Sequence, residues 1–243
     1  MIQDGMRKGD TALFVTFEGC EGCGKTTVIN ALKTELEKEG LPVMVTHEPG
    51  GSPIAEQIRA ILLDKKNTAM TPWTEALLYT ASRSQHIWET LHPAYDAGYI
   101  ILSDRYQDSS VAYQGYARHL GKEFIDDLNR MVHNRFLPDI TFFLDLEPKK
   151  GLERIAKNRG NKIDRLDAEK LAFHQDVYAG YQDIMEEEPW RIVRIDASQP
   201  VKQEVVQIKE IVLERLHEAI ERRKEWRTEM QCVRDEEDDE YVF

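Results

Sequence analysis

The sequence predicts an α/β fold: a three-layer, doubly wound structure with helices on both faces of a five-stranded parallel sheet. Five apolar runs alternate with amphipathic helical patterns, an order that favours parallel strands joined by right-handed crossovers. The 243 residues, 41% of them hydrophobic, are enough for one large domain. A glycine-rich stretch, GCEGCGKTT (19–27), separates the first apolar run from the first helical pattern.

The strands are predicted from runs rich in Val, Ile, Leu and Phe, as expected for strands buried on both faces. They are LFVTFEG (13–19), VMVTHEP (43–49), YIILSD (99–104), TFFLDL (141–146) and RIVRID (191–196). Helical periodicity runs from Lys25 until Gly40, and a second helix begins at Pro53 with Ser52 as its N-cap. A long central helical stretch covers 72–97, and an amphipathic helix from Val201 to about Trp226 closes the fold.

Charge and composition argue against a nucleic-acid-binding or membrane protein. The net charge is -12, and the six acids of DEEDDE (235–240) account for half of it. We expect an extension at 1–11, one domain at 12–226 and an acidic, disordered tail at 227–243. The overall acidity argues against a duplex nucleic-acid partner. No 18-residue apolar run or N-terminal signal appears, so we expect a cytoplasmic protein with no membrane partner.

The glycine-rich stretch has the spacing G-x-x-x-x-G-K-[ST] of a phosphate-binding loop, formed by Gly19, Gly24, Lys25 and Thr26. Backbone N–H groups and the helix N-terminus attract phosphate, Lys25 adds a charge beside the outer phosphates, and Thr26 can hold Mg²⁺. A second metal ligand is expected at the end of a strand, and Asp104 supplies it.

The same stretch also contains a C-x-x-C pair, Cys20 and Cys23, which suggests a redox or metal site. The sequence has no second pair of ligands and no thioredoxin-like context. We therefore interpret the two cysteines as small packing residues.

The segment DRYQDSSVAYQG (104–115) resembles thymidylate kinases, the enzymes that phosphorylate dTMP to dTDP with ATP. Four further segments agree in order: HEPGGSPIAEQIR (47–59), LLYTASRSQH (77–86), AKNRGNKIDRLD (156–167) and IDASQP (195–200). The resemblance covers roughly residues 12 to 216. It implies a P-loop kinase fold with strand order 2-3-1-4-5, a mobile lid at about 156–167, a loop bordering adenine at 195–200, and a homodimer formed through long helices.

The resemblance also implies site residues. ATP would be bound by Gly19, Gly22, Gly24, Lys25, Thr26 and Thr27 with Mg²⁺ at Thr26 and Asp104, and dTMP by Glu21, Arg59, Tyr79, Arg83, Arg105, Ser110, Tyr113 and Gln114. Tyr79 stands where the family usually has Phe, and it would stack on thymine while Arg83 bonds a base carbonyl. Arg59 and Arg105 would clamp the acceptor phosphate. Glu21 would reach the 3′-hydroxyl, and Tyr113 would exclude a ribose hydroxyl.

Some family members carry a catalytic arginine in the phosphate loop, and others supply it from the lid. Gly22 occupies that loop position here, so the sequence resembles the lid group, typical of bacteria and their viruses. The expected catalytic residues are therefore Lys25, Arg105 and the lid arginines Arg159 and Arg165. Sequence alone does not choose between the two lid arginines.

Two alternative functions remain open at this point. A deoxynucleoside kinase acting on thymidine would need a carboxylate base, and Glu48 could serve. A non-catalytic nucleotide-binding switch would use the phosphate loop and act through its acidic tail.

Overall fold

The structure, a computed structural model, describes residues 9–133, 136–158 and 165–239, with side chains described as far as Thr228 in the last helix. Five parallel strands form one sheet in the order β2-β3-β1-β4-β5, which confirms the predicted topology. The strands are β1 (Leu13–Glu18), β2 (Val43–His47), β3 (Ile100–Asp104), β4 (Ile140–Asp145) and β5 (Ile192–Asp196).

Helices cover both faces of the sheet. They are α1 (Lys25–Lys38), α2 (Pro53–Leu63), α3 (Pro72–His86), α4 (His92–Asp96), α5 (Gln107–Ser110), α6 (Lys122–His133), α7 (Pro148–Asn158), α8 (Leu171–Glu187) and α9 (Val201–Asp239). Successive side chains of a strand point to opposite faces. Leu13, Val15 and Phe17 accordingly belong to the core cluster that includes α1 and α9, whereas Phe14 packs with Ile87 on the other face.

The predicted central helix at 72–97 is interrupted. A π-helical segment, Ile87–Leu91, separates α3 from α4. Pro93 lies at the start of α4 and has no N–H to donate to the carbonyl four residues earlier, so regular α-helical bonding cannot continue through this point. A second π-helical segment, Val111–Ala117, follows α5 directly and lies beside the site described below.

The closing helix is longer than predicted. We expected it to end near Trp226, but the backbone is helical to Asp239. Arg223 donates hydrogen bonds to the carbonyls of Asp10 and Ala12, and Arg227 pairs with the Asp10 carboxylate at 2.6 Å. These contacts bind the helix to the start of the described chain.

Ser52 precedes α2 as predicted, but its hydroxyl makes no cap hydrogen bond and has no partner among the described residues. Within the same described residues, no helix combines the length and apolar character needed to cross a bilayer.

Candidate active site

A cleft of about 630 Å³ opens at the carboxyl ends of the strands. Ligands of open α/β sheets bind at this edge, where the strand order reverses. Its walls include most of the predicted site residues: Glu21, Gly22, Gly24, Lys25, Thr26, Thr27, Arg59, Tyr79, Arg83, Asp104, Arg105, Tyr113 and Gln114. Three described residues of the predicted site, Gly19, Ser110 and Arg165, do not line it. Arg159 lies outside the described residues.

The phosphate loop connects β1 to α1, as its sequence predicted. Gly22 and Gly24 have φ of 73° and 103°, left-handed values that favour glycine, and α1 begins immediately afterwards at Lys25. The Lys25 ammonium lies over the loop, 3.0 Å from the carbonyl oxygen of Gly19 and 3.3 Å from that of Cys20. The loop therefore combines a helix N-terminus with a buried ammonium group, which is an arrangement suited to bind phosphate.

Thr26 and Asp104 come together from the first turn of α1 and the end of β3. The Thr26 hydroxyl donates to the Asp104 carboxylate at 2.9 Å. A hydroxyl and a carboxylate are oxygen ligands of the kind Mg²⁺ prefers, so this pair fits a magnesium ion.

Arg105 connects the phosphate loop to the opposite wall of the cleft. Its Nη1 donates to the Gly19 carbonyl at 3.1 Å and to the hydroxyls of Ser109 and Tyr181. Its Nη2 donates to Glu21 at 2.7 Å and to the Tyr113 hydroxyl at 3.0 Å. The backbone of Arg105 has φ 73°, which is uncommon for a residue with a side chain and is typical of functional sites.

Glu21 is held as a carboxylate by its surroundings. Burial alone would raise its pKa, but the charges of Arg105 and Lys25 and a hydrogen bond from Tyr113 lower the pKa to about 2. The Tyr113 hydroxyl lies 2.8 Å from Glu21 Oε1. Glu21, Tyr113 and Arg105 therefore form one largely buried charged cluster in the cleft, with the Glu21 carboxylate ionised at neutral pH.

Sequence reasoning missed Glu18, the last residue of β1. Its Oε1 accepts from the backbone N–H of Tyr106 at 2.7 Å, and its Oε2 accepts from the hydroxyls of Ser109 and Tyr181. Burial, followed by the charge of Asp108, raises the pKa of Glu18 to about 7. The residue fixes the turn that carries Arg105. An acidic residue at the end of a fully buried strand is the signal that could have found it.

Arg83 also lines the cleft, but it is fully buried and most of its donors are already used by the protein. Nε donates to Glu48 at 2.7 Å, Nη1 to Asn129, and Nη2 to the Ser110 hydroxyl at 3.0 Å. Ser110 therefore supports Arg83 instead of lining the cleft. Gln114 lines the cleft, and its side-chain amide donates to Glu75 at 2.8 Å.

The arginines predicted to contact phosphate have different environments. Arg59 lines the cleft and donates to the Pro49 carbonyl at 2.6 Å. Arg165 is turned away from the cleft, with Nη2 at 2.6 Å from the buried Glu75 carboxylate and Nε bonded to the Leu62 carbonyl. Arg118 also pairs with Glu75, at 3.2 Å, so two arginines together balance the charge of this buried carboxylate. Arg165 therefore lies outside the lining of the cleft in this structure.

Sequence reasoning also missed Arg154. This arginine of α7 lines the cleft together with Ile155 and Val201, and its Nη2 donates to the Ala197 carbonyl at 3.2 Å. Ala197 belongs to the segment IDASQP, which we predicted to border adenine. Arg154 therefore places a guanidinium in the cleft beside this segment.

A buried carboxyl group, Glu204, lies near Arg154. The residue is only 2% exposed, and its Oε2 has no hydrogen-bond partner in the part of the chain that is described. Burial raises the pKa of Glu204 to about 7; the charge of Arg154 opposes the rise and that of Asp196 adds to it. Between about pH 4.5 and pH 7, the Glu204 carboxyl is therefore mostly protonated in the folded protein and mostly ionised in the unfolded chain.

This shift predicts a pH-dependent cost in stability. Because the folded pKa lies above the unfolded value of 4.5, the protein loses stability from this group as pH rises from about 4.5 to about 7. Replacing Glu204 with Gln removes the cost, so Glu204→Gln should be more stable than wild type by about 1–2 kcal/mol at pH 8 and by less at pH 5. Urea unfolding at both pH values measures the difference.

The matched control is Glu210→Gln, which changes an exposed glutamate on the same helix and should have little effect at either pH. A stability difference between Glu204→Gln and wild type that is the same at pH 5 and pH 8 would contradict the prediction.

Cys20 and Cys23 are both buried, each 2% exposed. Burial raises the pKa of the Cys20 thiol to about 12, so this thiol stays protonated and unreactive at neutral pH. Cys23 packs in the core cluster with Val28 and Leu144. These environments support the interpretation of both cysteines as packing residues.

Comparisons with known proteins identify the family of this chain. The sequence model of the thymidylate kinase family matches residues 17–208. The chain is 50% identical over 200 residues to the thymidylate kinase of Limosilactobacillus fermentum, covering 82% of this chain and 94% of that one. It is 51% identical over 196 residues to the thymidylate kinase of Lactobacillus delbrueckii subsp. bulgaricus, covering 79% and 91%.

A crystal structure of thymidylate kinase from Ehrlichia chaffeensis superimposes with a TM-score of 0.66 at 28% identity, covering 83% of this chain and 98% of that chain. The same fold is therefore shared over nearly the whole of that enzyme. On the sequence match and the shared fold together, this chain belongs to the thymidylate kinase family of phosphotransferases.

Proposed function

We propose that the protein transfers the γ-phosphoryl group of ATP to dTMP, giving dTDP and ADP. The observation that carries the proposal is the single cleft in which the phosphate loop and the Arg105 cluster are directly joined. Arg105 Nη1 contacts the Gly19 carbonyl of the loop, and Nη2 contacts Glu21 and Tyr113. A donor phosphate on the loop and an acceptor phosphate on Arg105 would therefore be neighbours.

On the donor side, the N–H groups of the loop and of the first turn of α1 would bind the phosphates of ATP, with Lys25 beside the outer ones. Thr26 and Asp104 fit Mg²⁺, which would neutralise phosphate charge when bound. Arg154 would lie beside the rest of the donor nucleotide. The remaining catalytic task of this chain is to hold donor and acceptor in line.

On the acceptor side, Arg59 and Arg105 would hold the monophosphate, and Glu21 would accept the 3′-hydroxyl proton in a hydrogen bond. Tyr79 would stack on thymine, and the buried Tyr113 ring would leave no room for a ribose 2′-hydroxyl. The attacking oxygen belongs to a phosphate that is already ionised at neutral pH, so the reaction needs no general base. Charge neutralisation by Lys25 and Arg105 would supply most of the acceleration.

The environment of Glu48 argues against the alternative of a thymidine kinase. Burial would raise its pKa, but the Arg83 guanidinium and His86 hold the pKa of Glu48 below its usual value. Both carboxylate oxygens are occupied, Oε2 by Arg83 at 2.7 Å and Oε1 by the His86 ring at 3.0 Å. A carboxylate held in this way is a poor proton acceptor.

The direct test is ADP formation with a panel of acceptors: dTMP, thymidine, dUMP, dCMP and dGMP. We expect turnover with dTMP and none with thymidine. Turnover of thymidine but not dTMP would contradict the proposal and support the nucleoside kinase. Nucleotide binding and slow hydrolysis with no dependence on any acceptor would support the non-catalytic switch.

We also propose that two copies associate through α3. Trp73, Leu77 and Trp88 are each more than half exposed on α3 and the π-helical segment that follows it. α3 packs against both α2 and α6, and these two helices carry the exposed residues Ile54, Ile61 and Met131. These six residues form what we call the α3 patch. Exposed apolar residues on neighbouring helices favour an interface, and a two-fold dimer would bury the patch against its own copy.

Replacing Trp88 with Glu should raise the dimer dissociation constant at least about tenfold, because the substitution introduces a charge into the patch and removes a large aromatic ring from it. Sedimentation velocity across a protein concentration series measures this. Trp190→Glu is the control, since Trp190 is 70% exposed but lies in the turn before β5, far along the chain from the patch. A wild-type protein that stays monomeric, or equal dissociation of both variants, would contradict the proposal.

A further inference from the structure

The phosphate loop and α7 touch through the backbones of two glycines. A Cβ on Gly22 would lie 2.2 Å from the carbonyl oxygen of Gly151, and a Cβ on Gly151 would lie 2.0 Å from the carbonyl oxygen of Glu21. Both distances are far below any normal contact, so neither position has room for a side chain. Gly22 also needs glycine for its φ of 73°, whereas Gly151 lies in the first turn of a helix and needs it only for this approach.

This contact gives a physical reason for the absence of an arginine in the loop. We predicted from Gly22 that a catalytic arginine would come from elsewhere, and the backbone of α7 occupies the space that any side chain at position 22 would enter. The loop sequence and the position of α7 are therefore matched to each other.

The contact between the two glycines connects the acceptor side of the cleft to its donor side. On the loop side, the Glu21 carboxylate pairs with Arg105 and accepts from Tyr113 at the acceptor end. On the helix side, Arg154 lies one turn after Gly151 and lines the donor end together with Ile155. α7 thus lines the donor side of the cleft with the Arg154 side chain, and its backbone at Gly151 contacts the backbone of Glu21.

We propose that Gly151 is a positioning residue that couples donor binding to acceptor binding. The inference rests on the proposed function, because it takes ATP and dTMP as the two ligands. Backbones in contact cannot shift independently in a close-packed interior. ATP that binds Arg154 would fix the position of α7 and, through Gly151, the position of the Glu21 backbone. The Glu21 carboxylate in turn would bind the acceptor sugar. By linkage, dTMP binding then favours donor binding by the same factor.

The experiment measures the dissociation constant of dTMP by calorimetry, with and without saturating Mg²⁺ and a non-hydrolysable ATP analogue. The ratio of the two constants is the coupling factor. We expect wild type to show a factor of about five or more. Gly151→Ala should reduce the factor to less than half its wild-type value, because the added methyl group separates the helix from the loop. Lys149→Ala, an exposed change in the same turn, should leave it unchanged.

Arg154→Ala is the second variant. It keeps the contact between the two glycines, so it tests the inference even if Gly151→Ala does not fold. It should also lower the coupling factor at saturating analogue, because α7 loses its contact with the donor. A wild-type factor of one, or full coupling in either variant, would overturn the inference. ADP formation with dTMP, measured on the same wild-type preparation, distinguishes that result from failure of the proposed function.

Discussion

Replacing Lys25 with alanine should lower kcat for phosphoryl transfer about a thousandfold. The ammonium is buried at the start of α1, within 3.3 Å of two carbonyl oxygens of the phosphate loop. It can turn from these carbonyls to the outer phosphates and neutralise charge that develops during transfer. Because positioning and charge neutralisation are the main catalytic tasks, removing this charge should slow the transfer step itself. Steady-state kinetics with ATP and dTMP, monitored by ADP release, measure the loss.

The matched control for this prediction is Lys33→Ala on the same helix. Lys33 is exposed and pairs only loosely with Glu37, at 3.7 Å, so its removal should leave kcat within about twofold. Thermal unfolding of both variants separates a loss of chemistry from a loss of structure. A Lys25→Ala enzyme that is folded and retains more than about a tenth of wild-type kcat would show that the loop lysine is not the catalytic charge proposed here.

The second large effect should come from Arg105→Ala. We expect kcat/KM for dTMP to fall about a thousandfold and the free energy of unfolding to fall by about 2–4 kcal/mol. The activity falls because the acceptor phosphate loses its guanidinium. The stability falls because Glu21 remains buried with its main ionic partner removed, and Tyr113 and Tyr181 lose hydrogen bonds. Kinetics and urea unfolding on the same preparation measure both changes.

Arg105→Lys separates the two causes. It keeps the positive charge beside Glu21 but cannot make five directed contacts from one planar group. It should therefore recover much of the lost stability while kcat/KM stays at least about tenfold below wild type. Recovery of activity in parallel with stability would indicate that Arg105 serves the fold alone and does not contact the acceptor.

Much of the fold was predictable because its signals are local. Continuous apolar runs marked each of the five strands, and the observed boundaries differ from the predicted ones by one or two residues. The two exceptions have specific causes. The break in the central helix depends on Pro93, and α9, which we expected to end near Trp226, pairs through Arg227 with Asp10, a residue more than two hundred positions earlier.

Some residues of the candidate site could also be predicted from local sequence, and others could not. Residues inside contiguous motifs, such as the loop from Gly19 to Thr27 and the segment after Asp104, were found from sequence and line or support the cleft. Residues that act through partners on distant elements were not found. Glu18 fixes the turn of Arg105, and Arg154 reaches the cleft from α7; neither lies in a motif. Arg165 was predicted as catalytic, but it pairs with Glu75.

The sequence by itself determined the class of fold and the phosphate loop, because these depend on periodicity and on spacing within short segments. Its motifs also carried the resemblance to the family. Only the tertiary structure decided which arginines face the cleft, and it showed that the glycine at position 22 meets the backbone of α7 at Gly151. These features depend on distances between elements that are far apart in the chain, and no local pattern encodes such distances. Gly22, first notable as a missing arginine, is also the point where the loop contacts the helix that carries Arg154.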